Sequence, residues 1–152
     1  GELGISLAEA RGFMERYFAR FAHIKEFYDK VEEEARKLGY VTTMADRRRP
    51  LPDMRSQSAQ SRALAERQAV NTLIQGSAAD IIKLAMVRVF HALDGLQARL
   101  LLQVHDELIV ECPQEEAQQV MQIVTNEMEH AAALRVPLVA EAKQGESWYA
   151  AK

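Results

Sequence analysis

The stretch that decides the fold runs Arg99-Leu-Leu-Leu-Gln-Val-His-Asp-Glu-Leu-Ile-Val-Glu-Cys112. Two short apolar runs, residues 100–104 and 108–110, flank a polar centre of His105, Asp106 and Glu107. Short apolar runs on either side of a polar break predict a β-hairpin with its turn at the polar residues. The sequence therefore predicts two antiparallel strands with two adjacent carboxylates at their connection.

The adjacent carboxylates of Asp106 and Glu107 allow two interpretations. Two carboxylates this close repel each other unless a cation lies between or beside them. Oxygen ligands of this kind suit Mg²⁺, which binds proteins through one or two carboxylates together with substrate phosphates. The residues alone leave a simpler interpretation open, because turns favour Asp and exposed acids need no ligand.

Helical patterns surround the hairpin. Residues 6–38 repeat apolar side chains at helical spacing, which predicts one long helix or two with a bend near residues 21–23. Ser6 and Glu9 have the spacing of a capping box at the start of this segment, and Gly39 is a plausible C-cap at its end. Further helices are predicted from residues 58–62 to Asn71, over 77–93 and over about 113–133, with Gly76 at a junction. Residue 90 is predicted to lie in the buried stripe of the third helix. A short β-rich run covers 40–44, and 136–142 is predicted as a final strand.

The order of these elements predicts an α+β fold. Its small antiparallel sheet would consist of the hairpin and the C-terminal strand, covered by several α-helices. The single cysteine, Cys112, excludes an internal disulfide and a zinc cluster, and fits a reducing, cytoplasmic setting. The longest apolar runs are too short to span a membrane, and the N-terminal residues do not form a secretory signal.

Charge is distributed unevenly, although the net charge is only −3. Residues 36–67 hold eight basic side chains against three acidic ones, whereas residues 106–146 hold nine acidic against two basic. A basic surface favours contact with phosphates, and Arg47-Arg48-Arg49 is one such cluster. Arg67, Asn71 and Gln75, four residues apart, form a polar ridge on a helix. Asn and Gln can donate to acceptors present on every base pair in the minor groove. For the arginine cluster the alternative is a solvated loop, and for the polar ridge it is a solvent-facing stripe of a helix.

Taken together, these motifs resemble the C-terminal portion of bacterial family A DNA polymerases, the DNA polymerase I family. The run Gln103-Val-His-Asp-Glu-Leu108 resembles the motif that supplies the family's second palm carboxylate. The resemblance covers essentially the whole chain in order, through Gly39-Tyr-Val41, Arg47-Arg48, Leu51-Pro-Asp53, Ala65-Glu-Arg67, Asn71, Ile74-Gln-Gly-Ser-Ala-Ala-Asp-Ile-Ile-Lys83, Val136-Pro-Leu138 and Gly145-Glu-Ser-Trp148. Asp46 and Pro50 depart from the family, which usually has Gly and an aromatic residue there.

The resemblance implies templated nucleotidyl transfer by a two-metal mechanism with Mg²⁺. Asp106 would bind the catalytic metals, with Glu107 beside it. His105 would approach the primer terminus, while Arg67 and Gln75 would contact primer–template DNA near the newest base pair with support from Asn71. Arg47 and Arg48 would also contact DNA. The full-length enzyme would use a dNTP and act in the cytoplasm, associated with the nucleoid.

The same resemblance predicts an incomplete polymerase domain. The family's first palm Asp and its nucleotide-binding fingers helix have no counterpart in this sequence. Residues 1–152 are therefore expected to form one partial domain, with 1–38 as a helical segment after the fingers helix and 39–152 as the palm segment. The isolated chain is expected to be inactive and to self-associate through apolar surface exposed by the missing parts. A duplex-DNA-binding module without catalysis and a metal-dependent nuclease are the alternatives.

Overall fold

The computed structural model describes residues 4–151, so residues 1–3 and 152 of the sequence predictions lie outside the described part. Its contacts divide the chain into two compact units, Gly1–Ser77 and Ala78–Lys152. The mixture of helices with small antiparallel sheets confirms the α+β class. The division of the chain at residues 38 and 39 stays a prediction.

Two helices open the first unit, α1 (Leu7–Arg20) and α2 (Ala22–Leu38). Ser6 and Glu9 form the predicted capping box, in which the Glu9 N–H donates to Ser6 Oγ over 3.2 Å and the Ser6 N–H donates to Glu9 Oε2 over 2.8 Å. The helices separate at Phe21, whose φ of −118° and ψ of 57° are not helical. Gly39 ends α2 with a φ of 81°, a conformation that glycine adopts without steric cost. The expected bend is therefore a break between two helices.

A hairpin and a helix complete this unit. Strands β1 (Tyr40–Thr42) and β2 (Arg48–Pro50) pair antiparallel and lead into a 3₁₀ turn, Pro52–Arg55. Helix α3 (Ala59–Asn71) begins within the predicted range and is capped by Ser58, whose side chain accepts from the Ser61 N–H. It continues through a π-helical turn (Thr72–Gly76) directly into α4 (Ser77–Ala92). The core is formed by apolar side chains from α2, β1, the 3₁₀ turn and α3, namely Val31, Ala35, Val41, Leu51, Met54, Ala65, Ala69 and Val70.

The second unit contains the predicted hairpin between helices. Strands β3 (Arg99–Val104) and β4 (Glu107–Glu111) pair antiparallel, with Val104 opposite Glu107 and a register shift between Leu100 and Leu102. Helix α5 (Ala117–Glu129) follows a 3₁₀ turn, Gln114–Glu116. The core joins buried side chains of α4 and α5 to the inner side of β4 through Val89, Leu93, Val120, Leu108 and Val110. The hairpin motif is thus held against two helices.

Three sequence predictions in this unit are wrong. Residues 136–142 form no strand, and the side chains of Val136 and Val139 are 66% and 77% exposed. The described residues instead contain two separate two-stranded sheets. A strand needs a neighbour for its backbone hydrogen bonds, and this segment pairs with neither sheet. Phe90, expected in the buried stripe of α4, is 66% exposed, and α5 ends at Glu129 instead of near residue 133.

Large apolar side chains lie exposed on helices of both units. On α1 they include Phe13 and Met14, and on α4 they include Leu84, Val87 and Phe90. Such surface is the kind that a partner or another part of a longer chain covers. Self-association through it stays a prediction. Within residues 4–151, no helix is both long enough and apolar enough to cross a membrane.

Candidate functional site

The β3–β4 turn displays the motif His105-Asp106-Glu107. Because Val104 pairs with Glu107, the loop consists of only His105 and Asp106. His105 has a φ of 56°, whereas Asp106 has no positive φ, the pattern of a type II′ turn whose first position favours glycine. The Gln103 side-chain amide donates to the His105 carbonyl and braces the turn. A non-glycine residue in this conformation stores strain, which folded proteins often retain at functional sites.

Asp106 and Glu107 form the carboxylate pair of this turn. Both are exposed, and neither side-chain carboxylate accepts a hydrogen bond or forms an ion pair within residues 4–151. Their oxygen atoms are of the type that Mg²⁺ prefers. Over the described residues, no group of three or more His, Cys, Asp or Glu side chains is arranged to hold a metal ion. The pair therefore fits a divalent cation in ligand type, and two carboxylates alone would supply only part of a coordination sphere.

The polar ridge of Arg67, Asn71 and Gln75 lies in the first unit. All three residues are exposed, while Ala65, Ala69 and Val70 of the same helix are buried. Arg67 and Asn71 are one turn apart on α3, and Gln75 lies in the π-helical turn that follows. A π-helical turn forms i→i+5 hydrogen bonds and often occurs at functional sites. It changes the simple four-residue spacing that the sequence predicted.

Most basic side chains between residues 36 and 67 are engaged within the chain. Arg36 pairs with Glu66, Arg55 donates to two carbonyls at the end of α2, and Arg62 donates to two carbonyls before α3. Arg47, Arg48 and Arg49 each contact a group of the first unit. The side chains of Lys37 and Arg67 form neither a hydrogen bond nor an ion pair with another described residue. Arg67 is thus a cation on the ridge whose donors remain available to a ligand.

The cluster Arg47-Arg48-Arg49 is less uniform than the sequence suggested. Arg47 Nη2 donates to the Gly76 carbonyl over 3.0 Å, and Arg49 Nη1 donates to Thr72 Oγ1 over 2.8 Å. The Arg48 guanidinium carbon lies 4.9 Å from the centroid of the Tyr40 ring, a cation–π contact. Arg47 and Arg49 therefore bind the π-helical turn, whereas Arg48 packs on β1.

Asp46, which replaces a glycine usual in the family, completes the β1–β2 loop. It has a φ of 58°, and its N–H donates to the Thr43 carbonyl over 3.1 Å. The Thr43 N–H donates to the Arg47 carbonyl over 3.0 Å, which leaves residues 44–46 as a three-residue hairpin loop. Such a loop commonly ends with a residue in this left-handed conformation, which favours glycine. The departure therefore leaves the loop intact at some conformational cost.

Sequence reasoning missed strand β2 and the bond from Arg49 to Thr72. These residues are 23 positions apart, so no periodicity could reveal their contact. A usable signal was the run of turn-forming residues between Tyr40-Val-Thr42 and Arg48-Arg-Pro50, which is hairpin spacing.

Comparisons with known proteins agree on one family. The family model described as DNA polymerase family A matches residues 1–150. DNA polymerase I of Geobacillus stearothermophilus is 52% identical over 152 residues, and the thermostable DNA polymerase I of Thermus aquaticus is 46% identical over 151 residues. Among solved structures, the POL domain of Pol1 from M. smegmatis, in complex with DNA primer-template and dNTP, superposes with a TM-score of 0.94 at 47% identity.

These similarities extend over nearly all of this chain and over a small part of each relative. The alignments cover 99% of the chain but only 17% of the Geobacillus protein, 18% of the Thermus protein and 27% of the M. smegmatis chain. The matched stretch contains both the carboxylate turn and the polar ridge. The chain belongs to DNA polymerase family A.

Proposed function

We propose that this chain forms part of a DNA-directed DNA polymerase and contributes one carboxylate turn of its catalytic site. The observation that carries the proposal is the turn itself. The carboxylates of Asp106 and Glu107 are exposed, adjacent and without partners among the described residues, and they follow directly on the strained backbone of His105. In a family whose named members are DNA polymerases, the simplest use of such a pair is binding the metal ions of nucleotidyl transfer.

Each residue of the turn would have a separate role. Asp106 would hold divalent metal ions, and Glu107 beside it would adjust the negative charge of the site. When bound, Mg²⁺ supplies the positive charge that stabilises the attacking and leaving oxygens. His105, displayed by its left-handed backbone, would orient the primer terminus. A pair of carboxylates offers few ligands for two ions, so further ligands would come from a longer polypeptide.

The polar ridge would hold the primer–template. Arg67 has donors free for a phosphate, and Asn71 and Gln75 can donate to minor-groove acceptors that every base pair presents. Contacts of this kind test the geometry of a base pair without reading sequence. Arg48, exposed above Tyr40, would add a phosphate contact, and the neighbouring Arg47 is proposed to contact DNA as well. The M. smegmatis relative was solved with DNA primer-template and dNTP, the ligands proposed here.

The catalytic role would require more than these 152 residues. The chain spans less than a fifth of the DNA polymerase I relatives that it matches, and its carboxylate turn supplies only part of a metal site. We expect the chain alone to show no primer extension, and the longer protein to work in the cytoplasm with the nucleoid. Primer extension by the purified 152-residue chain would contradict the first expectation.

The test compares single substitutions in the full-length protein that carries this chain. Asp106→Asn removes one negative charge at nearly constant volume, and we expect primer extension to fall by at least about a hundredfold. Affinity for primer–template should change little, because a carboxylate is not expected to bind negatively charged phosphates directly. Glu111→Gln, an exposed change at the far end of β4, is the matched control and should leave extension unchanged. Normal extension by Asp106→Asn would refute the catalytic role.

A second function is a duplex-binding module that does no chemistry. The observation that favours it is the ridge, whose three side chains have no partner among residues 4–151. Salt-dependent DNA binding without primer extension, weakened by Arg67→Ala for all sequences, would support this alternative. Divalent-dependent cleavage of DNA, lost with Asp106→Asn, would instead support a nuclease.

A further inference from the structure

We propose that Arg49 is a positioning residue for Gln75, an inference that rests on the contact proposed above between Gln75 and the newest base pair. Two arginines of the β1–β2 hairpin bond to the two ends of the π-helical turn that carries Gln75. Arg49 Nη1 donates to Thr72 Oγ1 over 2.8 Å, and Arg47 Nη2 donates to the Gly76 carbonyl over 3.0 Å. Arg49 thus holds the first residue of the turn and Arg47 the last.

The hairpin also packs directly against this turn. A Cβ atom at Gly76 would lie 2.8 Å from Thr43 Cγ2, so the backbone at Gly76 touches the hairpin loop with no room for a side chain. The Met44 N–H donates to Ser77 Oγ over 3.0 Å just beyond the turn. π-Helical geometry is rare and depends on its surroundings for stability. The surroundings here are the hairpin, which contacts both ends of the turn while Gln75 itself stays exposed.

The bond from Arg49 is distinct from a phosphate contact. Successive residues of a strand point to opposite faces, and Arg48 accordingly lies over Tyr40 while Arg49 reaches Thr72. Thr72 is buried, and the bond between the two side chains is partly shielded from solvent. A charge-assisted hydrogen bond in such a place fixes the hydroxyl group and the backbone next to it. Arg49 therefore acts on the site through Thr72.

The test uses the full-length protein and measures extension from matched and mismatched primer termini. Gln75→Ala should reduce the ratio of matched to mismatched extension, and Arg49→Ala should reduce the same ratio, by about tenfold. Thr72→Val, which removes the acceptor at nearly constant volume, should reproduce the Arg49→Ala defect. Combining Arg49→Ala with Thr72→Val should reduce the ratio no further than either change alone, because both remove the same hydrogen bond. Thermal unfolding of each variant confirms that it is folded.

Different failures have different meanings. Arg49→Ala could reduce the slope of log DNA affinity against log salt by about one, the loss of one phosphate contact, while Thr72→Val leaves the slope unchanged. In that case Arg49 binds DNA directly and the positioning role is refuted. If Gln75→Ala is defective while Arg49→Ala and Thr72→Val are normal, only the positioning role fails. If Gln75→Ala itself is normal, the proposed base-pair contact fails and the positioning role fails with it. Arg49→Lys, which keeps the charge but loses the planar guanidinium group, should restore only part of the ratio of matched to mismatched extension.

Discussion

The backbone of Gly76 and the side chain of Thr43 are in direct contact, because a methyl group at Gly76 would lie 2.8 Å from Thr43 Cγ2. Thr43 is only 5% exposed, and its Oγ1 accepts a hydrogen bond from the Arg47 N–H. The side chain therefore has little freedom to move aside. We expect Gly76→Ala to lower the free energy of unfolding by about 1–3 kcal/mol, measured by urea denaturation.

Two companion variants separate this contact from general effects of alanine. Thr43→Ser keeps the hydroxyl and removes Cγ2, so combining it with Gly76→Ala should recover most of the lost stability. At Gly12 of α1, a Cβ atom would meet only the flexible end of Arg16, 3.4 Å away. Gly12→Ala should therefore raise the free energy of unfolding by about 0.5–1 kcal/mol. Equal losses at Gly12 and Gly76 would contradict the proposed clash.

Asp46 occupies a left-handed position, with a φ of 58°. Asp46→Gly relieves this strain, and we expect a gain of less than about 1 kcal/mol in the free energy of unfolding. Asp46→Val places a β-branched side chain there and should cost about 1–2 kcal/mol. Ala45→Val is the matched control, because its neighbouring loop position has no positive φ and is also exposed. The prediction fails if both valine variants lose the same stability.

A pH-dependent bond joins α4 to α5. Arg88 Nε donates to Glu127 Oε2 over 2.7 Å, and this hydrogen bond lowers the pKa of Glu127 below its ordinary value. Because the pKa of Glu127 is lowered in the folded state, the bond stabilises the folded protein fully above the unfolded-state pKa of about 4.3. This stabilisation is lost as the pH falls through the folded-state pKa. Glu127→Gln should therefore lower the free energy of unfolding by up to about 1 kcal/mol at neutral pH.

Denaturation curves at several pH values check this expectation. The difference between Glu127→Gln and the unchanged protein should shrink as the pH falls below about 4. Glu111→Gln, an exposed acid with no bond to another described residue, should show no such trend. A constant difference for Glu127→Gln across the whole range would assign its effect to packing instead of charge.

Local signals in the sequence predicted much of this fold. The capping box of Ser6 and Glu9, the C-cap at Gly39 and the β3–β4 turn all depend on residues within a few positions of each other, so the sequence displays them directly. Strand formation depends on a distant partner as well. That dependence explains why residues 136–142 were wrongly predicted as a strand, whereas β2 was missed although its partner β1 lies at hairpin spacing.

Burial was harder to predict than helix formation. Helix α4 carries apolar side chains on more than one face, and periodicity alone could not show that Val89 is buried while Phe90 is exposed. The same limit applies to the candidate site. The sequence identified exposed carboxylates and a polar ridge, but not which arginines are engaged. The bonds of Arg36, Arg47 and Arg49 join residues 30, 29 and 23 positions apart.

Arg67 and Arg62, both on α3, should respond differently to salt when DNA binds the full-length protein. Arg67 has no partner among residues 4–151, whereas Arg62 Nη1 donates to the carbonyls of Ser56 and Gln57. If Arg67 neutralises a phosphate, Arg67→Ala should reduce the slope of log affinity against log salt by about one. Arg62→Ala should leave that slope unchanged, although it removes the same charge. Equal changes in slope would mean that only the net charge of this surface matters, and the specific phosphate contact of Arg67 would be refuted.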